Sequence, residues 1–284
     1  MTTYAVTGAT GGLGGAAIDA LLAKGVDAAD IVAVVRDSTK AGTLADSGVA
    51  VRQADYNDVQ ALTTALAGVD KLLFVSGSEV GQRAAQHANV IAAIKAAGVS
   101  FTAYTSLLRA TESALALGDE HRATEKSLAD SGITYALLRN GWYWENYLAA
   151  ADAASESGTL YGAAADGRVA GASRTDYAGA AVAVLLADTP RAVYELAGDH
   201  PLTYAELAAQ ISDITGKPVV YQNLSQEDYA AALAGNGLPE PVAQILADAD
   251  AGVANGQLDS TSTDLVDLIG QPSTPFAEVL RTAR

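Results

Sequence analysis

A chain of 284 residues, half of them hydrophobic, is long enough for one large core or for a large and a small domain. The formal net charge is −16, from 17 basic and 33 acidic residues, which argues against nucleic-acid binding because such proteins neutralise phosphates with clustered Lys and Arg. The chain has no Cys and three scattered His, so we expect neither thiolate chemistry nor a metal site.

The sequence also lacks the features of a membrane or secreted protein. No apolar run approaches the ~18 residues that a membrane-spanning helix needs. The first residues, MTTYAVTGATGG, show neither the charged region nor the apolar segment of a secretory signal. We therefore expect a cytoplasmic protein without a membrane span, in which redox chemistry requires a bound cofactor.

Short apolar segments alternate with segments of helical period in the first half of the chain. Near its start, Leu13, Ala17 and Leu21 place apolar side chains on one helix face. Strand, helix, strand repeats form right-handed parallel crossovers, and nearly continuous apolar strands suit a sheet covered on both faces. The sequence therefore predicts a doubly wound, Rossmann-type α/β domain. Its predicted strands are TYAVT (3–7), IVAVV (31–35), VAVRQ (49–53), KLLFVS (71–76), FTAYTS (101–106) and ITYALL (133–138).

The pattern changes after about residue 140. A Ser-, Gly- and Asp-rich stretch is followed by mostly helical segments, among which Thr203 and Glu206 have the spacing of a capping box. We predict a large α/β domain over residues 1–196, with 141–158 crossing toward the substrate side. A smaller, mostly helical substrate domain is predicted over residues 197–284.

The most informative motif is a glycine-rich turn directly after the first strand. Gly8 allows a tight turn, Gly11 and Gly12 let the backbone approach a pyrophosphate, and Gly14 lets the following helix lie close to the sheet. The helix N-terminus adds N–H donors and partial positive charge. The alternative is a strand-to-helix loop without a ligand. The motif favours a dinucleotide site formed by Gly8, Thr10, Gly11, Gly12, Leu13 and Gly14.

The choice of cofactor depends on the end of the second strand, where IVAVV leads into Arg36 and Asp37. The planar guanidinium of an Arg suits a 2′-phosphate, and Lys40 lies one helical turn further on. An acidic residue at this point would instead bind the ribose of NAD. We favour NADPH, and the alternative is a solvent-exposed Arg36 beside an NAD-selective Asp37.

Three further segments occur in order with the glycine turn, namely VVRD (34–37), RQADYND (52–58) and SGSEVGQR (76–83). Together they resemble the NmrA-like branch of the atypical short-chain dehydrogenase/reductases, over essentially the whole chain. The continuations FTAYTSLLRA and LLRNGWYWENYL are most similar to the bacterial type 2 NADPH:quinone oxidoreductases within that branch. The resemblance implies further cofactor contacts from Asp55, Ser76, Gly77, Ser78, Lys126, Asn140 and Gly141.

The chain departs from the wider superfamily at one catalytic position. There, a Tyr four residues before a Lys protonates a carbonyl substrate, but the position four before Lys126 holds Arg122. A quinone suits this departure because a hydroquinone anion is a weak base that can take its proton from water. The resemblance places Lys126 on the ribose hydroxyls and assigns catalysis to Lys126, Tyr104 and Asn140. For Lys126 the alternative is a solvated, charged helix face.

Two segments are candidates for the acceptor side of the site. Residues 104–106 end the fifth strand, at the edge where open α/β sheets bind ligands, although such hydroxyls also satisfy backbone groups. Residues 140–147 contain both Trp of the chain and two Tyr. These rings are either an aromatic wall for a flat quinone or an anchor between domains. The candidate substrate residues are Trp142, Tyr143, Asn146, Thr105 and Ser106.

The sequence thus predicts NADPH-dependent reduction of a small-molecule quinone by direct hydride transfer, without metal or flavin, in a cleft between two domains. Two alternatives remain open: an NADP-binding, redox-sensing regulator without turnover, and a reductase of another conjugated acceptor such as an enone. A homo-oligomer is compatible with the sequence. His87 and His200 have no second ligand at metal spacing, so we expect structural or surface roles for them.

Overall fold

Strands and helices alternate along the first half of the chain, and helices become more frequent in the second. The structure, a computed structural model, describes residues 1–284. The elements up to residue 140 are β1 (Tyr4–Thr7), α1 (Gly12–Ala23), β2 (Ile31–Val35), α2 (Gly42–Asp46), β3 (Ala50–Gln53), α3 (Val59–Ala65), β4 (Lys71–Phe74), α4 (Arg83–Ala97), β5 (Phe101–Leu107), α5 (Ala116–Ser131) and β6 (Tyr135–Asn140). The remaining elements are α6 (Leu148–Ser157), β7 (Thr159–Gly162), β8 (Arg168–Val169), α7 (Arg174–Leu186), β9 (Val193–Leu196), β10 (Leu202–Thr203), α8 (Tyr204–Thr215), β11 (Val220–Asn223), α9 (Gln226–Gly235), α10 (Glu240–Ala254), α11 (Asp264–Ile269) and α12 (Phe276–Thr282).

The central sheet has seven strands in the order β3-β2-β1-β4-β5-β6-β9. Strand β1 pairs in parallel with β2 and with β4, so Ala5 lies between Val32 and Leu72. The strand order reverses here because the chain passes from β3 at one edge back to β4 beside β1. Strands β2 and β5 are buried along their whole length, which requires cover on both faces of the sheet. The predicted doubly wound α/β fold is confirmed.

A hydrophobic cluster joins the sheet to helices α3 and α4. Leu62, Val90 and Ile94 contribute helix side chains, Leu72 and Phe74 contribute strand side chains, and all five are fully buried. Burying one such side chain stabilises the fold by roughly 1.5–3 kcal/mol. This packing holds the carboxyl ends of β1, β2 and β4 side by side, which positions the loops that follow them.

The chain divides into two compact units. The first comprises Met1–Ala110, Glu120–Asn140 and Tyr177–Tyr194, and the second comprises Thr111–Asp119, Gly141–Asp176 and Glu195–Arg284. This division differs from the predicted boundary at residue 196. Segment 141–176 groups with the later residues because its strands β7 and β8 pair with β11 and β10.

The C-terminal end of α7 belongs to the first unit, where a side chain of the central sheet holds it. Lys71 Nζ, at the start of β4, donates to the carbonyl oxygens of Leu185 and Ala187, at 2.8 and 3.2 Å. These two bonds attach the end of the helix to the sheet.

The second unit combines helices with two small sheets, β7 with β11 in parallel and β8 with β10 antiparallel. The predicted capping box at the start of α8 is confirmed: the Thr203 hydroxyl accepts from the Glu206 N–H, and the Glu206 carboxylate accepts from the Thr203 N–H. No helix combines the length and the apolar character that crossing a membrane would demand.

A carboxyl group is buried in the second unit. Asp250 of α10 accepts hydrogen bonds from the Tyr204 hydroxyl at 2.5 Å and from the Ala163 N–H at 3.0 Å. The Tyr204 hydroxyl also lies 3.3 Å from that of Tyr147. Burial raises the pKa of Asp250 to about 6, because the ionised form loses its water. The cluster ties α8, α10 and β7 together.

Candidate functional site

The glycine turn connects β1 to α1. Gly8 has a φ of 61°, in the left-handed region that favours glycine. A Cβ built on Gly14 would lie 2.3 Å from the carbonyl oxygen of Gly8, so only glycine lets the helix approach the turn this closely. No side chain caps α1, whose N-cap residue is Gly11. The first N–H groups of the helix are therefore free of side-chain acceptors, as an anion site at a helix N-terminus requires.

A cavity of about 310 Å³ lies against this turn, within the first unit. It is lined by the turn and by the segments that follow β2, β3 and β4. The structure therefore brings together most of the predicted cofactor residues, namely Gly8, Thr10, Gly11, Gly12, Leu13, Gly14, Arg36, Asp55, Ser76, Gly77 and Ser78. Tyr56, Glu79 and Gln86 line the same cavity, and the sequence did not single them out.

Arg36 follows β2 and is the only cationic side chain lining the cavity. Its side chain is 70% exposed, and its guanidinium contacts the Glu79 carboxylate at 2.5 Å. The neighbouring Asp37 is engaged locally, where its carboxylate accepts from the hydroxyl and the N–H of Thr39. These bonds lower the pKa of Asp37, and the bond from the Thr39 hydroxyl has the larger effect. Asp37 does not line the cavity, and Arg36 does, which favours the 2′-phosphate interpretation over an NAD-selective acid.

Side chains hold the loop between β4 and α4 in place. The N–H of Ser76 donates to Thr105 Oγ1 at 2.8 Å, and the N–H of Gly77 donates to His87 Nε2 at 3.0 Å. The guanidinium of Arg83 donates to the carbonyl oxygen of Gly77 at 2.5 Å and forms an ion pair with Glu120 at 3.1 Å. The cavity wall formed by this loop therefore depends on polar groups from α4, α5 and β5.

A buried histidine pair lies beside that loop. His87 accepts from Gly77 at Nε2, so its proton is on Nδ1, which lies 2.9 Å from Thr124 Oγ1. The Tyr104 hydroxyl lies 2.8 Å from His121 Nδ1. Burial lowers the pKa of both histidines to about 3, because the charged ring would lose its hydration, and Arg83 adds to the effect.

The three predicted hydroxyl residues of β5 all have internal partners. Tyr104 is fully buried on His121, and burial raises the pKa of its hydroxyl. Thr105 holds the Ser76 N–H, and the Ser106 hydroxyl donates to Glu125 at 2.6 Å. None of the three lines the cavity beside the glycine turn. Their hydroxyls bond groups of the protein itself in this structure. This agrees with the alternative to a ligand-binding role that the sequence left open for these residues.

The predicted ribose ligand Lys126 is an exposed residue of α5. Its ammonium contacts Asp130 at 2.5 Å, one helical turn away, and it does not line the cavity. Arg122, at the position of the missing Tyr, donates to the carbonyl oxygen of Ala110 at 2.8 Å. Asn140 is buried at the end of β6, where its backbone carbonyl oxygen accepts from the Leu108 N–H.

Residues 141–147, which contain all the rings of the aromatic segment, lie in the second unit, where the Gly141 N–H donates to the Leu196 carbonyl oxygen. Trp142 is half-buried. The Tyr143 ring lies 4.9 Å from the guanidinium carbon of Arg174, a residue that also donates to Asn146 at 2.9 Å.

Trp144 has a packing role within the same segment. It is 1% exposed and packs on Phe276 with a ring centroid distance of 5.6 Å. A Cβ at Gly171 would lie 2.7 Å from the Trp144 ring, so glycine is needed beneath it. Trp144 is therefore a core residue, whereas part of Trp142 remains accessible.

Solved structures of known proteins match this chain over nearly its full length. The NADPH-dependent quinone oxidoreductase of Escherichia coli, solved as a complex with NADPH, has a TM-score of 0.95 and 56% identity, covering 99% of each chain. The triphenylmethane reductase of Citrobacter sp., complexed with NADP(H), has a TM-score of 0.94 and 41% identity, covering 99% of this chain and 100% of that one.

Sequence comparison leads to the same group of proteins. Quinone oxidoreductase 2 of Escherichia coli K12 is 58% identical over 275 residues, which are 96% of each chain. The profile of the NmrA-like family matches residues 2–262. Because this match covers most of the chain and the relative is similar over nearly its full length, the protein belongs to the NmrA-like family.

Proposed function

We propose that this protein is an NADPH-dependent quinone oxidoreductase. The observation that carries the proposal is the shared cavity of the first unit, where an uncapped helix N-terminus and one cationic side chain line the same space. The glycine turn suits a pyrophosphate, and Arg36 suits the 2′-phosphate that distinguishes NADPH from NADH. The similarity to an Escherichia coli quinone oxidoreductase solved with NADPH supports the same conclusion.

The residues of the cavity fit the cofactor group by group. The backbone of Gly11 and Gly12 would hold the pyrophosphate, and the close approach of Gly14 to Gly8 keeps the helix N-terminus at that point. Arg36 provides a charge-assisted fork for the 2′-phosphate. The loop 76–78, held by Thr105 and His87, borders the rest of the cofactor. Bound NADPH supplies a hydride, the chemistry that the side chains of this protein lack.

Reduction of a quinone requires a hydride and one proton. The two electrons of the hydride convert the quinone to a hydroquinone anion, and the proton completes the hydroquinone. Arg122 occupies the position of the proton-donating Tyr of the superfamily and is bonded to a backbone carbonyl oxygen. We assign the proton to water, because a hydroquinone anion is stable enough to collect it after transfer.

The remaining site residues are part of the proposal. Lys126 and Asn140 are assigned to the nicotinamide end of the cofactor, with Tyr104 as a supporting residue and Gly141 beside Asn140. Thr105, Ser106, Trp142, Tyr143 and Asn146 are assigned to the quinone. Of these, the exposed Asn146 and the half-buried Trp142 and Tyr143 offer the most accessible surface. A cytoplasmic location, where NADPH is supplied, completes the proposal.

One observation favours a second class of acceptor. The triphenylmethane reductase of Citrobacter sp., solved with NADP(H), is similar to this chain over nearly its full length at 41% identity. The same cavity would serve either reaction, because both need only a positioned hydride donor and an extended π-system as acceptor.

The decisive experiment measures NADPH oxidation by the purified protein, monitored by the absorbance of NADPH. The acceptor is a benzoquinone, a naphthoquinone or a triphenylmethane dye. We expect rapid turnover with the quinones and little consumption of NADPH without an acceptor. Turnover with the dye but with neither quinone would replace the quinone assignment by the second acceptor class. Tight NADPH binding without turnover on any acceptor would indicate a redox-sensing regulator and overturn the proposal.

A further inference from the structure

The ion pair between Arg36 and Glu79 joins two segments that line the cofactor cavity. Arg36 follows β2 and Glu79 follows β4, and these are the two strands that flank β1 in the sheet. The pair therefore crosses above the end of β1, where the glycine turn begins. Both residues line the cavity, with Arg36 Nη1 and Glu79 Oε1 2.5 Å apart. The group that would bind a 2′-phosphate thus already holds an anion of the protein itself.

We propose that Glu79 is an exchange partner for Arg36, displaced when a 2′-phosphate binds and restored when it leaves. The inference rests on the proposed function, since it takes Arg36 as the 2′-phosphate ligand. It makes Glu79 a residue that sets the affinity for NADPH and for NADP⁺ alike, because both cofactors carry that phosphate.

Glu79 is held ready for this exchange by a buried amide. Gln86 of α4 is 4% exposed, and its Nε2 donates to Glu79 Oε2 at 2.9 Å. The second oxygen, Oε1, bonds Arg36. When Arg36 turns to a phosphate, Glu79 keeps one partner and needs no new one. The exchange therefore costs only the exposed ion pair, and the Glu79 carboxylate keeps its bond to Gln86 throughout.

No other cationic side chain lines the cavity, so none can take the place of Arg36. The second acidic residue of the lining, Asp55, accepts from the N–H and the side-chain amide of Asn57 and is engaged there. Lys40 is exposed and does not line the cavity. Competition between carboxylate and phosphate for Arg36 is therefore the main electrostatic event at this end of the site.

The competition has a kinetic consequence. A carboxylate that recaptures Arg36 assists the departure of NADP⁺, and product release limits the turnover of many enzymes. Removal of the Glu79 charge should strengthen binding of the oxidised product as well as of the substrate. Since the pair is exposed, the change is modest, about two- to fivefold, and it should shrink as salt screens the charges.

The test measures binding of 2′-phospho-ADP-ribose and ADP-ribose by calorimetry, so it does not depend on catalysis. Glu79→Gln keeps the shape and an acceptor for Gln86 but removes the charge. We expect 2′-phospho-ADP-ribose to bind this variant about two- to fivefold more tightly, with ADP-ribose changed less than about twofold. Asp46→Asn, at an exposed acid of α2, is the matched control for a change of one surface charge and should alter neither ligand.

The double variant separates the exchange role from the phosphate site. In an Arg36→Ala background, Glu79→Gln should no longer strengthen binding of 2′-phospho-ADP-ribose. If Glu79→Gln weakens binding of 2′-phospho-ADP-ribose in the native background, Glu79 holds Arg36 in position for the phosphate. The exchange role is then wrong, while the phosphate site stands. An equal gain for both ligands, or a gain that survives Arg36→Ala, also overturns it. If Arg36→Ala still discriminates between the two ligands, the phosphate assignment itself fails, and the inference with it.

Discussion

Each unit of the protein contains a buried cluster around groups whose pKa is shifted, two histidines in the first unit and a carboxyl group in the second. The first holds the bases His87 and His121 near Tyr104, and the second holds the acid Asp250 against Tyr204. Burial lowers the pKa of the two histidines to about 3 and raises that of Asp250 to about 6. Both shifts favour the neutral form, because the loss of hydration dominates in each case.

The two clusters differ in what they support. His87 holds the N–H of Gly77, a residue of the cofactor cavity, so the histidine cluster links the stability of the first unit to its binding loop. Asp250 and Tyr204 bond each other, Tyr147 and the backbone of Ala163 after β7, so their cluster supports the fold of the second unit. The comparison shows that one physical cause, desolvation, shifts the pKa of groups that support the cofactor cavity in one unit and of a core group in the other. It also implies opposite responses to acid.

The largest expected effect concerns the core of the second unit. Trp144→Ala should lower the free energy of unfolding by about 3–5 kcal/mol, because it empties a fully buried ring site against Phe276. NADPH affinity of the folded protein should not change, since the cofactor cavity is lined by the first unit. Urea denaturation and calorimetry measure the two quantities. Trp142→Ala, at a half-buried ring, should cost less stability, and reduced NADPH binding by folded Trp144→Ala would contradict the separation of roles.

The next largest effect tests whether the exposed Arg36 contributes to cofactor binding without contributing to stability. Arg36→Ala should weaken NADPH binding by about 1.5–3 kcal/mol while NADH binding and the melting temperature hardly change, because the guanidinium is exposed and its phosphate bond is charge-assisted. Kinetics with both cofactors give the answer, and Lys40→Ala is the matched control. Equal losses for NADH and NADPH would mean that Arg36 is a structural residue.

Acid should destabilise the first unit. In the folded state the two histidines stay neutral down to about pH 3, whereas in the unfolded chain they bind protons below about 6.5. Stability therefore falls as the pH drops below that value, by on the order of 2 kcal/mol for each histidine between about pH 7 and 5. Hydrogen exchange at the Gly77 amide, corrected for its intrinsic pH dependence, reports the loss. His87→Gln retains an acceptor for Gly77, and its stability should depend less on pH. An unchanged slope would contradict this assignment.

The smallest effect has the opposite sign. Asp250 has a folded pKa of about 6 and an ordinary value of 3.8, so between these values the folded state binds more protons than the unfolded state. The second unit should therefore gain on the order of 1 kcal/mol as the pH falls from about 7 to 5. Both Trp lie in this unit, so their fluorescence during denaturation follows it. Asp250→Asn should remove the gain, and a pH-dependent gain that persists in that variant would locate it elsewhere.

Much of the fold could be predicted from the sequence because its signals are local. The apolar strands and the glycine turn gave the sheet and the cofactor cavity, and Thr203 with Glu206 gave the start of α8. Strand ends were less certain: β6 spans Tyr135–Asn140, whereas the apolar pattern indicated residues 133–138.

Long-range polar partners could not be predicted. Arg36 and Glu79 are 43 positions apart, and nothing in either local sequence indicates that they meet. The partners of Tyr104, Thr105 and Ser106 likewise lie on other elements and depend on how helices pack on the sheet. In the aromatic segment the sequence left a wall and an anchor open, and only the packing of Trp144 on Gly171 and Phe276 identifies that residue as an anchor.

The interleaving of the two units along the chain has a consequence for how the protein can be made. The last strand of the central sheet, β9, leaves the ribosome only after segment 141–176 of the other unit, and Glu195–Arg284 follows. Neither unit is therefore one continuous stretch, and no single cut yields two self-sufficient pieces. A chain ending near residue 140 would lack α7 and β9, leaving β6 as an edge strand that can pair with another chain during synthesis.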